Sequence, residues 1–398
     1  MALVEMKAML RHAYENGYAI GGVDVIDLGF LAGVIDAAER CRAPVILSLA
    51  ESHFRHYDIE VLMPAVESAA QRASVPVAIH LDHGASLESA VKAIRLGCNG
   101  VMVDASEEPL AINRTRTREV VQMAHACGVP VEGEIGYVPG EEGESAELHP
   151  GAIAYTDADT AEDYVKATGV DFLAVSIGTV HGRFRRKPEL DFDRLEQINT
   201  TLRMPLVIHG GTGLDDEQFG HLVRRGVAKI NYYTALADAA EQAARKVMDN
   251  GQYAHLFDCV SRAVSEETER CMHLWGSAGR AAEVLSRCPA WEPVEHLITY
   301  NAEQADPATV YATMEEGRKV LSAIPGVRSV ETGEAIDVGK ARFQYCWLVR
   351  FTHPAVISSY RDHPSHTAFA DRHFRPLAPE RMSIDYRLLR GLQPPDPH

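Results

Sequence analysis

The sequence predicts two units in tandem, a (β/α)8 TIM barrel followed by a ferredoxin-like α+β domain. Three observations point there. Short apolar runs alternate with helical patterns over about 230 residues, the size of such a barrel. The last hundred or so residues change to the order strand, helix, strand, strand, helix, strand. Between the two, residues 286–293 hold two prolines and a shift in composition.

Strand-like runs stand at 18–23, 44–49, 76–81, 100–104, 129–134, 171–176, 205–209 and 227–231. Their near-continuous apolar character suits strands covered on both faces. The segments 86–96, 114–127 and 160–168 have helical spacing between them. A doubly wound open sheet is the alternative, but no Gly-x-Gly-x-x-Gly follows the first strand, which weakens a dinucleotide-binding reading. Residues 136–150 interrupt the rhythm with Gly136, Gly140, Gly143 and four glutamates, a loop whose length reads as a mobile lid or a disordered insertion. Residues 235–280 are helical in pattern. The barrel is assigned to 1–285, a linker to 286–293, the second domain to 294–391 and a loose tail to 392–398. Within the second domain, strands are expected at 294–300, 327–332, 343–351 and 382–388, and helices at 307–324 and 356–372.

Composition narrows the function. The chain has 398 residues, 46% of them apolar, and a net charge of −17. That charge argues against nucleic acid or an anionic membrane as a partner. Seven scattered cysteines without a Cys-x-x-Cys fit reduced thiols and a cytoplasmic location. Residues 1–13 carry Glu5, Lys7 and Arg11 and do not read as a signal peptide. No run approaches the ~20 apolar residues of a membrane span.

Chemistry gathers at the strand ends. Pro76-Val-Ala-Ile-His80-Leu-Asp82-His83-Gly84 begins as a buried strand and finishes in charge. In a barrel the carboxyl ends of the strands face the active site. An acid beside an imidazole there suits proton transfer and metal binding, although a helix cap followed by a surface histidine is the plainer reading of the pair alone. The fourth run ends in Asp104, the fifth in Glu132 and Glu134, and the seventh in His209, while Gly178-Thr-Val-His181-Gly182 follows the sixth. Three neutral imidazoles with an open fourth position, His83, His181 and His209, make a catalytic zinc site. Gly182, then Gly210-Gly211-Thr212-Gly213, then Asn231-Tyr232-Tyr233-Thr234 follow strands six to eight. Backbone donors there form the usual phosphate site of these barrels.

Residues 1 to about 285 resemble the class II, metal-dependent fructose- and tagatose-bisphosphate aldolases. The matching motifs are Ile79-His-Leu-Asp-His83, Val101-Met-Val-Asp-Ala-Ser106, Val131-Glu-Gly-Glu-Ile-Gly136, Ala174-Val-Ser-Ile-Gly-Thr-Val-His-Gly182, Leu206-Val-Ile-His-Gly-Gly-Thr-Gly213 and Lys229-Ile-Asn231. The resemblance implies His83, His181 and His209 as ligands of one zinc ion. It implies Asp104 and Glu134 at an accessory position for a second divalent or a monovalent cation. Asp82 would be the catalytic acid and Glu142, in the loop, the group that takes the substrate proton. Gly182, Gly210, Gly211, Thr212, Asn231, Tyr232, Tyr233 and Thr234 would hold the phosphate of dihydroxyacetone phosphate, which joins an aldehyde or is released from a phosphorylated ketose.

The chain departs from that family in places. Val23-Asp24 stands where Phe-Asn is usual, Leu49-Ala-Glu-Ser-His53 replaces a small hydroxyl-containing turn, and no Asp-Pro-Arg occurs around 252–257. Arg183, Arg185, Arg186 and Lys187 follow a zinc ligand. They read either as a solvated basic loop or as a grip on a different anionic aldehyde. The expectation is an aldolase of altered acceptor scope. A noncatalytic barrel that stabilises a partner is the rival.

Residues 292–390 resemble the stress-responsive dimeric α/β-barrel family, on His296, Ile324-Pro-Gly-Val327, Tyr360-Arg-Asp-His363-Pro-Ser-His366 and Phe369. That resemblance implies pairing of sheets between two chains, hence a homo-oligomer, a dimer or a tetramer. Some relatives are aldol-condensing cyclases, which makes His296, Tyr360 and His366 a candidate second site.

Overall fold

Four of the eight barrel strands start directly after a proline. Pro44, Pro76, Pro130 and Pro205 precede β2 (Val45–Ala50), β3 (Val77–Gly84), β5 (Val131–Ile135) and β7 (Leu206–Ile208). Proline cannot donate to a ladder, so it is tolerated at a strand entry. Its carbonyl still accepts: Pro76 O takes the Val45 N–H at 3.0 Å and Pro130 O the Val101 N–H at 3.2 Å. With β1 (Ile20–Asp24), β4 (Gly100–Val103), β6 (Phe172–Val175) and β8 (Val227–Tyr232), these strands form a closed parallel barrel in sequence order, β8 pairing back onto β1. This computed structural model describes residues 2–140, 153–183, 188–248, 253–337 and 339–388. The expected lid residue Glu142 and the basic residues Arg185, Arg186 and Lys187 lie outside the described residues.

The helix Met6–Glu15, absent from the sequence reading, closes the amino-terminal end of the barrel. Met6, Met9, Leu10 and Ala13 fall on one face and join a core cluster with Ile20, Ile46, Ala78, Val207 and Ala228 at the strand starts. Apolar side chains therefore seal one end, and the polar groups collect towards the other. The stretch expected as a linker is held in place. The helix Ala281–Arg287 runs into it, Ala290 bridges Val4, and the Trp291 N–H donates to Leu3 O at 2.9 Å.

The chain divides into two compact units at Trp291/Glu292. The second contains β9 (Val294–Tyr300), β10 (Val327–Glu334), β11 (Tyr345–Phe351) and β12 (Arg381–Arg387) in the antiparallel order β10-β11-β9-β12. One sheet face packs under helices: Trp347 meets Phe369 and Phe374 with ring centroids 5.9 and 6.0 Å away, and Tyr300 meets Phe374 at 5.1 Å. The other face leaves Leu348, Met382 and Tyr386 exposed. The single helix expected over 356–372 is instead two short helices, Val356–Arg361 and Pro364–Phe369, followed by a π turn over Ala370–Phe374. The break has a local cause. Pro364 disfavours helical backbone at the residue before it, and His363 is extended, with φ −67° and ψ 133°. Among the described residues no helix is long and apolar enough to cross a membrane.

Candidate active site

Alternation along β3 puts His80 and Asp82 on the barrel's inner side, which would turn His83 outward. A register shift between Leu81 and Gly84, with His83 at φ +46°, breaks the alternation. Bulges re-aim side chains in this way, and a positive φ at a non-glycine residue is a feature of functional sites. His83 consequently joins His181, from the loop after β6, and His209, directly after β7. Their ring centroids lie 4.9, 4.6 and 5.6 Å apart for the pairs 83–181, 83–209 and 181–209. One nitrogen from each ring falls within 4.8 Å of the others.

Carboxylates orient two of the rings. Asp104 Oδ2 accepts from His83 Nδ1 at 2.7 Å, while its Oδ1 accepts from the Ser106 N–H and hydroxyl at 3.0 and 2.7 Å. Glu132 Oε1 accepts from His209 Nε2 at 2.9 Å, and its Oε2 accepts from the buried Lys229 ammonium at 2.8 Å. The remaining ring nitrogens, His83 Nε2 and His209 Nδ1, face one another across 2.9 Å. That arrangement calls for a shared proton or a cation. Glu134 stands beside it, fully buried, and its Oε2 has no hydrogen-bond partner among the described residues. The donor set fits a divalent metal at His83, His181 and His209. Asp104, Glu134 and His83 form a second overlapping group of ligand atoms within 4.8 Å.

The electrostatics make two of the three rings ready donors, while His83 would have to give up a proton to join them. Burial, with help from His83 and His209, brings His181 down to about 3, and burial also lowers His209, so both rings are neutral ligands at pH 7. Burial works against charge on His83 too, but Asp82 and Asp104 outweigh it and raise its pKa. Burial and the neighbouring Asp104 raise Glu134 well above the carboxylate range. Asp82 remains ionised: burial opposes its charge, and His83 and Lys229 overcome that. Both Asp82 oxygens accept from Asn231 Nδ2 at 2.9 Å.

The residues expected at the phosphate separate. Gly210 has φ +70°, and a Cβ there would fall 2.1 Å from Val180 O, so only glycine permits this turn. Thr212 Oγ1 accepts from the Ala235 N–H at 3.2 Å and ties the glycine turn to the start of the helix Thr234–Met248. Gly182 and Gly211 are buried beside this turn's strands, and Thr234 begins the helix. The side chain of Asn231 is turned to Asp82 instead. Tyr232 points out of the barrel: it is buried, packs on Trp275 and donates to Glu267 Oε1 at 2.8 Å. Tyr233 lies against His53, ring centroids 4.5 Å apart. Arg183 pairs with Asp238. A cavity of about 160 Å³ opens between His83, His181, Asp104, Ser52 and Tyr137.

Glu132 and Lys229 are the participants that the sequence reading left without a role. Their signal is charge at inward positions of apolar strands, which must be paired.

In the second unit His296, Tyr360 and His366 do come together. They line a cavity of about 330 Å³, with His296 Nδ1 2.7 Å from Asp385 Oδ1 and the Tyr360 and His366 rings 4.5 Å apart.

Comparison with known proteins agrees with the geometry. Residues 4–280 match the family model "Fructose-bisphosphate aldolase class-II", and residues 294–388 match "Stress responsive A/B Barrel Domain". Fructose-bisphosphate aldolase of Staphylococcus aureus (strain Mu50) is 36% identical over 288 residues, covering 71% of this chain and 100% of that protein. The Staphylococcus epidermidis fructose-bisphosphate aldolase is 35% identical with the same coverage. The crystal structure of the YdjI aldolase from Escherichia coli K12 superposes with a TM-score of 0.64 at 35% identity, covering 70% of this chain and 99% of that one. The chain belongs to the class II fructose-bisphosphate aldolase family and carries, later in its sequence, a stress-responsive A/B barrel domain.

Proposed function

We propose that the protein is a zinc-dependent aldolase that joins the enediolate of dihydroxyacetone phosphate to an aldehyde, or cleaves the corresponding ketose phosphate. The observation that carries this is the convergence of three imidazoles, His83 Nε2 and His209 Nδ1 2.9 Å apart with His181 beside them. His83, His181 and His209 would hold the ion. When bound, zinc supplies Lewis-acid polarisation of the substrate's carbonyl oxygen.

The chain's own residues do the rest. In cleavage, ionised Asp82 takes the proton from the hydroxyl next to the scissile bond. The carbon–carbon bond then breaks, the aldehyde forms, and the electron pair passes to the enediolate. A proton returned to that carbon completes the ketone, a role assigned to Glu142 by resemblance. Condensation runs the same transfers backwards, with Asp82 returning its proton to the aldehyde oxygen. Asn231 fixes the Asp82 carboxylate, and backbone donors around Gly182, Gly210, Gly211 and Thr212 bind the phosphate. Glu134 and Asp104 would serve an accessory cation.

The acceptor differs from a sugar phosphate in this proposal. Asp24, buried at the end of β1, puts an acid where a phosphorylated substrate would be repelled, and His53 and Tyr233 narrow the space nearby. A panel of aldehydes offered with dihydroxyacetone phosphate tests this. Preferred turnover of an uncharged, non-phosphorylated aldehyde supports it; efficient cleavage of fructose or tagatose 1,6-bisphosphate above all other ketoses overturns it.

The second unit serves as a dimerisation module through the open sheet face that carries Leu348, Met382 and Tyr386. A second reading, catalysis within that unit, is favoured by the His296–Asp385 pair in its cavity; unchanged turnover in His366→Ala dismisses it.

A further inference from the structure

Away from the barrel mouth, the helices Leu28–Cys41 and Tyr253–Leu274 pack closely enough that a Cβ on Gly33 would fall 2.5 Å from Ser261 O. At one end of this contact three different metal-binding side chains meet. Glu269 and His273 are four residues apart, so they share one helix face. Cys41, the last residue of the other helix, faces them, its Sγ 3.9 Å from His273 Nε2. One ligand atom from each of Cys41, Glu269 and His273 lies within 4.8 Å of the other two.

Cys41 and Glu269 are held by their surroundings. The Cys41 carbonyl accepts the Gly279 N–H at 2.9 Å. Arg40 donates to Ser265 Oγ at 2.8 Å and pairs with Glu269 Oε2 at 2.7 Å, and Ser265 donates to Asp36 Oδ2 at 2.7 Å. Arg40 also has Asp36 Oδ2 at 3.6 Å, a second carboxylate for the guanidinium if Glu269 turns to another cation. Cys41 is buried while His273 is exposed, so the group is closed on the protein side and open to solvent, with room for water as a further ligand.

We propose that Cys41, Glu269 and His273 form a second site for a thiophilic divalent cation of the zinc type. A tetrahedral zinc held by one sulfur and one imidazole nitrogen sets those two atoms about 3.6 Å apart, so Cys41 and His273 need approach by only a few tenths of an ångström. The mixed sulfur, nitrogen and oxygen set selects against magnesium and calcium, which take oxygen ligands. On binding, the S–H bond of Cys41 breaks, its proton passes to solvent, and sulfur bonds the cation. The cation then clips the two helices together. This site shares no residue with the three-histidine group, so it stands or falls separately from the catalytic reading.

Cobalt(II) titration of the full-length, metal-stripped protein reads it directly, because a thiolate ligand gives a sulfur-to-cobalt charge-transfer band that an all-histidine site cannot. The wild type is expected to take up two equivalents and to show the band, and His83→Ala to keep it. Cys41→Ser loses the band and one equivalent. His273→Ala, at an exposed position that leaves folding intact, weakens that equivalent by roughly tenfold or more. Cys259→Ser is the control: Cys259 lies 3.6 Å from His255 in an exposed pair, and no metal-binding group among the described residues includes it. Absence of the band from the wild type, its survival in Cys41→Ser, or its loss in Cys259→Ser overturns the proposal.

Discussion

Lys229 Nζ lies 2.8 Å from Glu132 Oε2 in the interior of the barrel, and neither residue has exposed surface. Burial pushes the Glu132 carboxyl up, but Lys229 and His209 outweigh it and bring its pKa down to about 2. Glu132 therefore stays a carboxylate and can hold the His209 Nε2 proton, which leaves His209 Nδ1 directed at the ligand group. Glu132→Gln is expected to weaken zinc binding by about 10–100-fold, measured by competition with a chelating dye. It also strands the Lys229 charge, at a cost of about 3–5 kcal/mol in stability. Unaltered zinc affinity would remove Glu132 from the site.

In the proposed mechanism Asp82 transfers the proton, and its two oxygens share one Asn231 amide. Asp82→Asn keeps the shape and loses the acid. Steady-state kinetics should show kcat lowered by about 10²–10⁴-fold, with zinc content unchanged. A variant with normal kcat would assign the transfer elsewhere.

The barrel was legible because its strands are buried on both faces, so the apolar runs at 44–49 and 76–81 stand out without alternation. His83, His181 and His209 were legible because strand ends mark the mouth of such a barrel. What hid was parity. Along β8, Lys229 and Asn231 face inward, so Tyr232 must face outward to Trp275 and Glu267, although in sequence it sits among the residues expected at the phosphate. Lys229 and Glu132 are 97 residues apart, and only closure of the barrel makes them a pair. The positive φ at His83 was equally invisible, since nothing in Asp82-His83-Gly84 announces a bulge. In the second unit, Pro364 was the available signal that residues 356–372 could not be one helix.

His80 lies under the site, 3.7 Å from Glu132 Oε2, and burial with Lys229 brings its pKa from 6.5 down to about 3. The unfolded chain binds the proton first, so stability is complete above pH 6.5 and lost as pH falls from there towards 3. Between pH 7 and 5, urea denaturation of the zinc-free protein should show the wild type losing about 2 kcal/mol more than His80→Gln. Equal losses would mean that His80 is already charged in the fold.

The open sheet face has Leu348 41% and Met382 43% exposed, flanking the partly buried Leu297 and Ile384. Sheet pairing across two chains would cover it. Leu348→Arg is expected to halve the mass seen by sedimentation velocity, with the far-ultraviolet circular dichroism unchanged. An unaltered mass would place any subunit contact on another surface.

In the proposed reaction three histidines hold a metal at which dihydroxyacetone phosphate loses a proton, and this can be read without knowing the aldehyde. Proton NMR in D2O of dihydroxyacetone phosphate with the zinc-loaded enzyme, and no aldehyde, should show one carbon-bound hydrogen replaced by deuterium. The exchange should stop with a chelator, return with zinc, and be absent in His181→Ala. No exchange by the zinc-loaded protein, or exchange that persists after the metal is stripped, would contradict the account.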